Sequence, residues 1–340
     1  MTNVAINGFG RIGRLMLRAM LQHPSFGKEI KLIAINSPAS AQSMAHLFKY
    51  DSMQGIYEKN VIATDDNIDF GFGKVFYSQI KQPQDINWQK LAVDIVLECS
   101  GKFNDREKAA QHLASGAKKI LISAPSNGAD KTIVYGVNHD QLTPADKIIS
   151  AASCTTNCLA PILAVLENNI GIDNGFMTTI HAYTGDQNIV DNSHKDLRRA
   201  RAAGLSMIPT STGAAKSIGD VIPSLKGRLN GAAIRVPTAN VSCVDLVARL
   251  KKPIKRQTLH DMFKQAEKGF LKNILKTTDL PLVSIDFNGM KESSCIDLPE
   301  TMVCASGDEE NQLVRVLSWY DNEMGFSHRM VDVLLKMTAK

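Results

Sequence analysis

Short apolar runs alternate with amphipathic stretches through the first half of the chain. The runs are rich in β-branched and aliphatic residues and predict four strands: NVAIN (3–7), KLIAIN (31–36), VDIVLEC (93–99) and KKILIS (118–123). Three stretches between them have helical spacing: residues 14–23, a segment that ends with MAHLFKY (44–50), and a polar segment near 105–115. Alternating strands and helices with such apolar strands predict a doubly wound parallel sheet, with a hairpin-like excursion over residues 56–90.

The pattern changes after about residue 150, where the apolar runs become longer. Three of them are strand candidates: FMTTIHAYT (176–184), AAIRVPTANVSCVDLVARL (232–250) and PLVSIDF (281–287). Helical spacing returns near residues 257–270 and in the amphipathic stretch HRMVDVLLKMTA (328–339). Since 340 residues are too many for one modest core, we predict two domains. The first spans residues 1–153, and the second, an α+β domain with a mostly antiparallel sheet, spans residues 154–320.

Composition and charge narrow the classes of protein. With 44% hydrophobic and 21% charged residues, the chain is typical of a soluble globular protein, and no apolar run is long enough to predict a membrane span. The opening residues show no secretion signal, so we expect a cytoplasmic protein. The formal charge of +5 is mild, and its two basic stretches, LRRARAA (197–203) and LKKPIKR (250–256), lack interleaved aromatic residues. This pattern argues against nucleic acid and favours small phosphates as ligands.

Three glycines follow the first predicted strand in the sequence INGFGRIG (6–13). Gly8, Gly10 and Gly13 have the G-x-G-x-x-G spacing, after a strand and at the start of a helix, which is the context of a Rossmann-type dinucleotide site. In such a site the first glycine permits a tight turn, the second lets a pyrophosphate approach the backbone, and the third allows the helix to pack closely on the sheet. Free N–H groups at the start of the helix then face the phosphates. The sequence therefore predicts a dinucleotide cofactor.

The second predicted strand ends in IAINSP, where dinucleotide sites usually have an acidic residue that binds the ribose hydroxyls. Ser37 stands at this position. A serine cannot repel a 2′-phosphate as a carboxylate does. Two interpretations follow from this position alone: a neutral replacement that still binds NAD, or tolerance of NADP.

Two cysteines lie four residues apart in SCTTNC (153–158), before an apolar helical run. A structural zinc site needs four ligands, and no second close Cys or His pair follows, so we predict no metal site. A redox pair usually has the spacing C-x-x-C, and few cysteines in a chain expected in a reducing compartment argue against a disulfide. A buried structural thiol is the common role of a single cysteine, and we favour that role for Cys158, one turn inside the helix.

Cys154 has a different environment. Hydroxyl and amide side chains surround it in the sequence, and its place at a helix N-terminus favours the thiolate. A nucleophile of this kind needs a base, and His181 in TTIHAYTGDQ (178–187) is the candidate. A lone histidine on a strand is also commonly structural, so these residues alone leave both interpretations open.

Seven motifs occur in order along the chain: INGFGRIGR, SCTTNC, HAYTGDQ, HKDLRRARAA, PTSTGAAK, IRVPT and WYDNEMGFS. In their order and spacing they resemble the phosphorylating glyceraldehyde-3-phosphate dehydrogenases, from about residue 3 to the C-terminal helix. The resemblance implies an oxidoreductase that makes 1,3-bisphosphoglycerate from glyceraldehyde 3-phosphate, inorganic phosphate and NAD or NADP. It also implies a homotetramer, and a final helix within residues 321–340 that packs back on the first domain.

The resemblance assigns the chemistry to Cys154 and His181. Cys154 attacks the aldehyde, and His181 lowers the pKa of the thiol and takes the hydroxyl proton as hydride leaves. Phosphate then attacks the thioester that results. The backbone N–H of Cys154, together with His181, holds the developing oxyanion.

The resemblance also assigns the binding residues. Thr184 and Arg235 bind the substrate phosphate, and Asp186 orients Arg235. Inorganic phosphate is bound by four residues: Ser153, Thr155, Thr212 and Gly213. Arg199 lies between the two sites. For the cofactor the binding residues are Gly8, Arg11 and Ile12 at the pyrophosphate and adenosine, Ser123 near the nicotinamide ribose, and Asn322 at the carboxamide.

Two positions depart from the pattern of the NAD-selective members. Ser37 stands where those members have Asp, and Asn192 and Ser193 stand where they have Leu-Pro. Members that accept NADP have small polar residues at both places. Lys81 is placed to reach a 2′-phosphate. Together these positions predict the use of NADP, alone or with NAD.

Two other functions are compatible with the same fold. An erythrose-4-phosphate dehydrogenase shares the nucleophile but tends to lose the phosphate residues of HAYTGDQ and PTSTG, and both motifs are intact here. A non-catalytic binding or scaffold protein does not need Cys154, His181, Arg235 and both phosphate motifs. The intact set therefore favours the phosphorylating enzyme.

Overall fold

A computed structural model describes residues 1–338 of the chain. They form two separately packed units, of which the first comprises residues 1–133, 139–152 and the chain from residue 327 onward. The second comprises residues 134–138 and 153–326. Ser153 and residues 321–326 thus lie in the second unit, outside the limits predicted from the sequence for the second domain. Ser153 belongs there because it caps the helix that begins at Cys154.

The first unit contains a nine-stranded sheet. Its elements in chain order are β1 (Thr2–Asn7), α1 (Arg11–Gln22), β2 (Ile30–Asn36), α2 (Ala41–Lys49), β3 (Tyr50–Asp51), β4 (Gly55–Ile56), β5 (Ile62–Ala63), β6 (Asn67–Asp69), β7 (Lys74–Ser78), β8 (Ile95–Glu98), α3 (Arg106–Ala114), β9 (Lys119–Ile122), β10 (Lys131–Thr132) and β11 (Ile148–Ser150). The strand order is β10-β11-β9-β8-β1-β2-β7-β6-β5, and β3 and β4 pair separately.

The order of strands reverses beside β1, because β1 pairs in parallel with β2 on one side and with β8 on the other. Val4, Ala5 and Ile6 of β1 are fully buried, which is why the middle of this strand is apolar. The predicted doubly wound parallel sheet is therefore confirmed. The excursion is a set of antiparallel pairs, β5–β6 and β6–β7, and β7 then adds to β2 in parallel. The carboxyl ends of β1, β2 and β8 meet at the reversal, where sheets of this type bind ligands.

The second unit contains a sheet of mixed direction. Its elements are α4 (Cys154–Asn169), β12 (Ile172–Ala182), β13 (Ile208–Thr210), α5 (Ala214–Val221), β14 (Leu229–Val236), β15 (Ser242–Ile254), α6 (Arg256–Lys268), β16 (Leu275–Thr278), β17 (Ser294–Asp297), β18 (Met302–Val303) and β19 (Asn311–Tyr320). The strand order is β13-β14-β12-β15-β19-β17-β16, with β18 paired to β19. Most pairs are antiparallel, and β12–β14 and β16–β17 are parallel, so the predicted α+β unit is confirmed.

Two of the predicted strands were wrong in detail. The long run over residues 232–250 is divided between β14 and β15, because Pro237 lacks a backbone donor and Val241 has a positive φ of 68°. The run PLVSIDF contains a short 3₁₀ turn, Ser284–Phe287, instead of a strand. The Asp286 carboxylate closes this turn by accepting a hydrogen bond from the Val283 N–H at 2.9 Å. Its apolar residues are not all core residues, since Val283 is 60% exposed.

The last described helix, α7 (Met324–Thr338), begins before the amphipathic stretch at 328–339 and lies within the range 321–340 that the resemblance implied. Residues 339 and 340 lie outside the described part of the chain. From residue 327 onward α7 belongs to the first unit, where the Lys119 ammonium donates to the carbonyl of Met337 at 3.2 Å.

None of the helices within residues 1–338 combines the length and the apolar character that a membrane crossing needs.

Candidate active site

Cys154 is the first residue of α4, and Ser153 caps this helix. The Ser153 side-chain oxygen accepts a hydrogen bond from the Thr156 N–H at 3.0 Å. The residues from Thr155 to Leu166 are all buried, so the helix is held rigidly behind its first turn. The thiol is therefore fixed at the end of a helix where the N–H groups carry a partial positive charge.

His181, near the end of β12, faces this thiol. Its Nε2 lies 3.6 Å from the Sγ of Cys154, and its Nδ1 lies 2.7 Å from the carbonyl oxygen of Ala182. Nδ1 also lies 2.8 Å from the Nη1 of Arg235, and a guanidinium only donates. We assign the ring proton to Nδ1, because the contact with the carbonyl oxygen, which only accepts, is the shorter of the two. Arg235, paired with His181 across β12 and β14, donates to the same carbonyl at 3.1 Å. The lone pair of Nε2 is thus directed toward the thiol, as a proton acceptor requires.

Burial dominates the electrostatics of this pair. It raises the pKa of the Cys154 thiol, although the positive charge of Arg235 acts in the opposite direction. Burial, and then the charge of Arg235, lowers the pKa of His181 to about 3. The sequence predicted a thiolate favoured by the helix N-terminus, and here desolvation outweighs that effect. Each charge alone is disfavoured here, whereas a proton transfer from the thiol to His181 would create two opposite charges side by side.

Arg199 is held by several partners. It pairs with the Asp186 carboxylate through Nη1, and its Nε donates to the Thr210 hydroxyl at 3.0 Å. The sequence interpretation assigned Asp186 to orient Arg235. In the structure Asp186 bonds Arg199 instead, because the guanidinium of Arg235 is turned toward the Ala182 carbonyl. The consequence is a fixed orientation for Arg199.

The Thr155 hydroxyl lies in the core. It shares a hydrogen bond of 2.9 Å with the hydroxyl of Tyr320, which in turn lies 2.9 Å from the Thr179 hydroxyl. Thr155 is 4% exposed, so this side chain supports the first turn of α4 and is not turned outward as the assignment to inorganic phosphate requires. Tyr320, whose ring lies edge-on to that of His181, was not identified from the sequence. Its only signal was its place in the motif WYDNEMGFS.

The other residues assigned to anions lie on turns of the second unit. The Thr184 N–H donates to the side chain of Gln187 at 3.0 Å, and this closes the turn that follows β12. Gln187, 8% exposed, is a second residue that the sequence analysis did not assign. Thr212 accepts from the Ala214 N–H at 3.2 Å, and Gly213 immediately precedes α5.

A cavity of about 590 Å³ lies at the carboxyl ends of β1, β2 and β8 in the first unit. Residues from all three strand ends line it, among them Gly8, Gly10, Ser37, Lys81 and Ser100. The volume and the location at the reversal of strand order fit part of a dinucleotide.

Each of the three glycines of the phosphate loop is required for a different structural reason. Gly8 has a φ of +90°, and a Cβ there would lie 2.4 Å from the backbone of Ser100. A Cβ at Gly13 would lie 2.1 Å from the carbonyl oxygen of Gly8, which explains the close packing of α1 on the sheet. A Cβ at Gly10 would meet nothing within 4 Å, so it would extend into open space where a pyrophosphate could approach. The loop therefore fits the cofactor that the spacing predicted.

The remaining cofactor candidates divide between the two units. In the first unit, Ile12 is half-buried in α1, and Ser37 is buried. The Arg11 guanidinium pairs with the Asp51 carboxylate at 2.7 Å. The Ser123 N–H donates to the Glu98 carbonyl at 3.0 Å. In the second, the Asn322 side-chain oxygen accepts from the Ser242 hydroxyl at 2.8 Å, and Asn192 and Ser193 are exposed on a loop.

Two family models match the chain. The model described as glyceraldehyde 3-phosphate dehydrogenase, NAD binding domain, matches residues 2–106, and the model described as the C-terminal domain of the same enzyme matches residues 153–322.

Similar curated proteins cover almost the whole chain. A glyceraldehyde-3-phosphate dehydrogenase of Xanthobacter flavus is 52% identical over 334 residues, which is 98% of either chain. A protein of the same name from Geobacillus stearothermophilus is 49% identical over 338 residues, 99% of this chain and 98% of the relative. With both domains matched in order and identity of this extent, the chain belongs to the glyceraldehyde 3-phosphate dehydrogenase family.

Proposed function

We propose that this protein is an NAD(P)-dependent, phosphorylating glyceraldehyde-3-phosphate dehydrogenase. It converts glyceraldehyde 3-phosphate, inorganic phosphate and NAD(P)⁺ to 1,3-bisphosphoglycerate and NAD(P)H. The observation that carries the proposal is the thiol of Cys154 at 3.6 Å from the proton-accepting nitrogen of His181, in a chain of this family. The first unit binds the dinucleotide, and the second unit carries the chemistry.

The geometry supports a sequence of proton movements centred on His181. As the Cys154 sulfur attacks the aldehyde carbon, Nε2 takes the thiol proton and returns it to the new oxygen, which gives a hemithioacetal. When bound at the loop from Gly8 to Gly10, the cofactor would supply the acceptor for the hydride of this carbon. Nε2 removes the hydroxyl proton in the same step, and a thioester remains on the sulfur. Phosphate attacks the thioester, and the sulfur leaves and recovers its proton from His181.

Two anion sites flank this centre. Arg235, next to His181 across the sheet, and Thr184, on the turn after β12, bind the substrate phosphate. Arg199, oriented by Asp186, lies between the two sites, and inorganic phosphate is bound by Ser153, Thr212 and Gly213. Thr155 is omitted from this set because its hydroxyl bonds Tyr320.

Dependence on phosphate tests the proposal. With phosphate, glyceraldehyde 3-phosphate should be oxidised continuously, with 1,3-bisphosphoglycerate as the product. Without phosphate, cofactor reduction should stop near one equivalent per subunit, because the thioester accumulates. Sulfate at matched ionic strength is the control. A rate indifferent to phosphate, with faster turnover of erythrose 4-phosphate, would instead support an erythrose-4-phosphate dehydrogenase, and no acylation of Cys154 would support a binding or scaffold protein.

We further propose that the cofactor site accepts NADP, alone or with NAD. Ser37 supplies no carboxylate to repel a 2′-phosphate, and Lys81 lies in the lining of the same cavity. Within the described residues 7–108, that lining also includes Lys102 and Lys108 and no carboxylate. Asn192 and Ser193 replace the Leu-Pro of NAD-selective members. A positively charged lining of this kind favours the more highly charged dinucleotide.

Ser37→Asp is expected to lower kcat/KM for NADP about 10- to 100-fold relative to NAD, because like charges placed together repel. The measurement is side-by-side kinetics with both cofactors. Ser37→Asn is the matched control, since it adds nearly the same volume without the charge, and the ratio should change little. A wild-type kcat/KM for NADP about a thousandfold below that for NAD would contradict the proposed specificity.

We also propose that the protein is a homotetramer. The segment between β12 and β13 exposes several large apolar side chains, among them Ile189 at 89% and Leu205 at 89%. Large apolar side chains exposed at several positions of one segment are typical of a surface that another protein covers. This supports a subunit interface formed by the segment, as the family resemblance implies.

A further inference from the structure

Buried hydrogen bonds run beneath the dinucleotide cavity, across the ends of β1, β2, β7 and β8. The side chains involved are Trp88, His112, Glu98, Asn7, Asn36 and Ser78. Glu98, in the middle, is fully buried and is absent from the cavity lining. One carboxylate oxygen accepts from the Asn7 amide at 2.6 Å and lies 3.0 Å from the Nε2 of His112. The other accepts from the N–H of Ser100 at 2.7 Å and from the Ser100 hydroxyl.

The direction of these bonds is fixed at the Trp88 end. An indole N–H only donates, and that of Trp88 donates to the Nδ1 of His112 at 3.0 Å. His112 therefore carries its proton on Nε2 and donates it to Glu98.

The direction is also fixed at the other end. The backbone N–H of Ile80 donates to the Asn36 side-chain oxygen at 2.9 Å, and the Ile80 carbonyl accepts from the Asn36 amide at 2.9 Å. The Asn36 amide then donates to the Asn7 oxygen at 2.8 Å, which directs the Asn7 amide at Glu98. Glu98 thus faces donors from every side, and only a carboxylate accepts them all.

The two residues that Glu98 holds flank a close backbone contact of the phosphate loop, that between Gly8 and Ser100. Asn7 directly precedes Gly8, and Ser100 supplies the backbone that a Cβ at Gly8 would approach to 2.4 Å. The two oxygens of Glu98 therefore hold the two sides of this contact. We propose that Glu98 is a positioning residue that sets the loop from Gly8 to Gly10 for the cofactor pyrophosphate. This inference rests on the proposed dinucleotide site.

Glu98→Gln tests the inference. An amide brings two donors, and whichever way it turns, they meet the donors of Asn7 and His112 or those of Ser100. The dissociation constant for NAD or NADP, measured by titration of the full-length protein, should rise at least about tenfold. The rate of alkylation of Cys154 should not change, since the second unit is untouched. A merely structural role predicts instead a lower melting temperature with unchanged affinity, and that result would overturn the inference.

A second substitution, added to Glu98→Gln, tests whether the excess of hydrogen-bond donors causes the loss of affinity. Trp88→Phe, added to Glu98→Gln, removes the indole donor and lets His112 move its proton to Nδ1, so that Nε2 accepts from the new amide. Affinity should recover in part, and no recovery would count against the inference. Asp297→Asn is the matched control, because Asp297 is also a buried, hydrogen-bonded carboxylate and lies in the second unit. It accepts from the indole N–H of Trp319 at 3.0 Å. The affinity of the Asp297→Asn variant for the cofactor should equal that of the wild type.

Two outcomes separate this inference from the proposed function. If the wild type bound neither NAD nor NADP, the proposed function would fail and the inference with it. If the wild type bound cofactor and the variant bound it equally well, only the inference would fail. Should Glu98→Gln not fold, Glu98→Asp carries the test, because it keeps the carboxylate and withdraws it by one methylene. Its dissociation constant should also rise, and an unchanged value would overturn the inference.

Discussion

Cys154→Ser is expected to lower kcat for aldehyde oxidation by about four orders of magnitude or more. A serine hydroxyl is far less acidic than a thiol, so proton transfer to His181 across the short distance seen here no longer produces a strong nucleophile. An alkoxide is also a poorer leaving group than a thiolate when phosphate attacks. The measurements are kcat at saturating substrates and the mass of the protein after incubation with aldehyde and cofactor without phosphate. An acyl adduct should form on the wild type alone.

Cys158 provides a matched control for this substitution. It lies one turn deeper in α4, is fully buried, and has its Sγ 3.6 Å from the hydroxyl of Ser318. Burial raises its pKa to about 12, so it is not a nucleophile at neutral pH. Cys158→Ser should keep kcat close to the wild-type value. If Cys154→Ser also kept most of its activity, the thioester mechanism would be wrong.

The sequence predicted best where one local requirement decides the structure. Gly8 and Gly13 each lie where a Cβ would meet backbone, and Gly10 leaves space for a pyrophosphate, so the glycine spacing between a strand and a helix indicated the loop. The parallel sheet could also be predicted, because a strand buried on both faces, such as β1, needs apolar residues at successive positions, here Val4 to Ile6. The strand assigned to PLVSIDF failed because a run of apolar letters does not show that Asp286 closes a turn within it.

Hydrogen bonds between side chains that are far apart in the sequence could not be predicted from local patterns. Asp186 has two arginines within the site, and the choice of Arg199 over Arg235 depends on where the segment between β12 and β13 folds. Glu98 was overlooked because it is the next-to-last residue of the run VDIVLEC and resembles an ordinary polar residue at the end of a strand. Its bonding role depends on His112, Asn7 and Ser100, which meet only when the sheet has formed.

His181→Asn is expected to lower kcat about 10²- to 10⁴-fold, the usual contribution of a general base. The variant removes the acceptor that lies 3.6 Å from the Cys154 sulfur, while burial continues to hold the pKa of the thiol above its ordinary value. Alkylation of Cys154 by iodoacetamide at neutral pH should therefore also become slower. In the variant its rate should rise about tenfold per pH unit toward pH 9, because the thiolate is then formed only by loss of the proton to solvent.

The loss of kcat and of thiol reactivity together distinguishes a proton acceptor from a structural histidine. His260, on α6, is a control for the substitution itself, since its Nε2 bonds the Thr301 carbonyl at 2.9 Å away from the thiol. His260→Asn should change neither rate. If His181→Asn lowered the melting temperature but left the alkylation of Cys154 as fast as in the wild type, His181 would be a core residue of β12, and the base would have to be sought elsewhere. A lower kcat with slower alkylation and an intact fold is the result that the position of Nε2 requires.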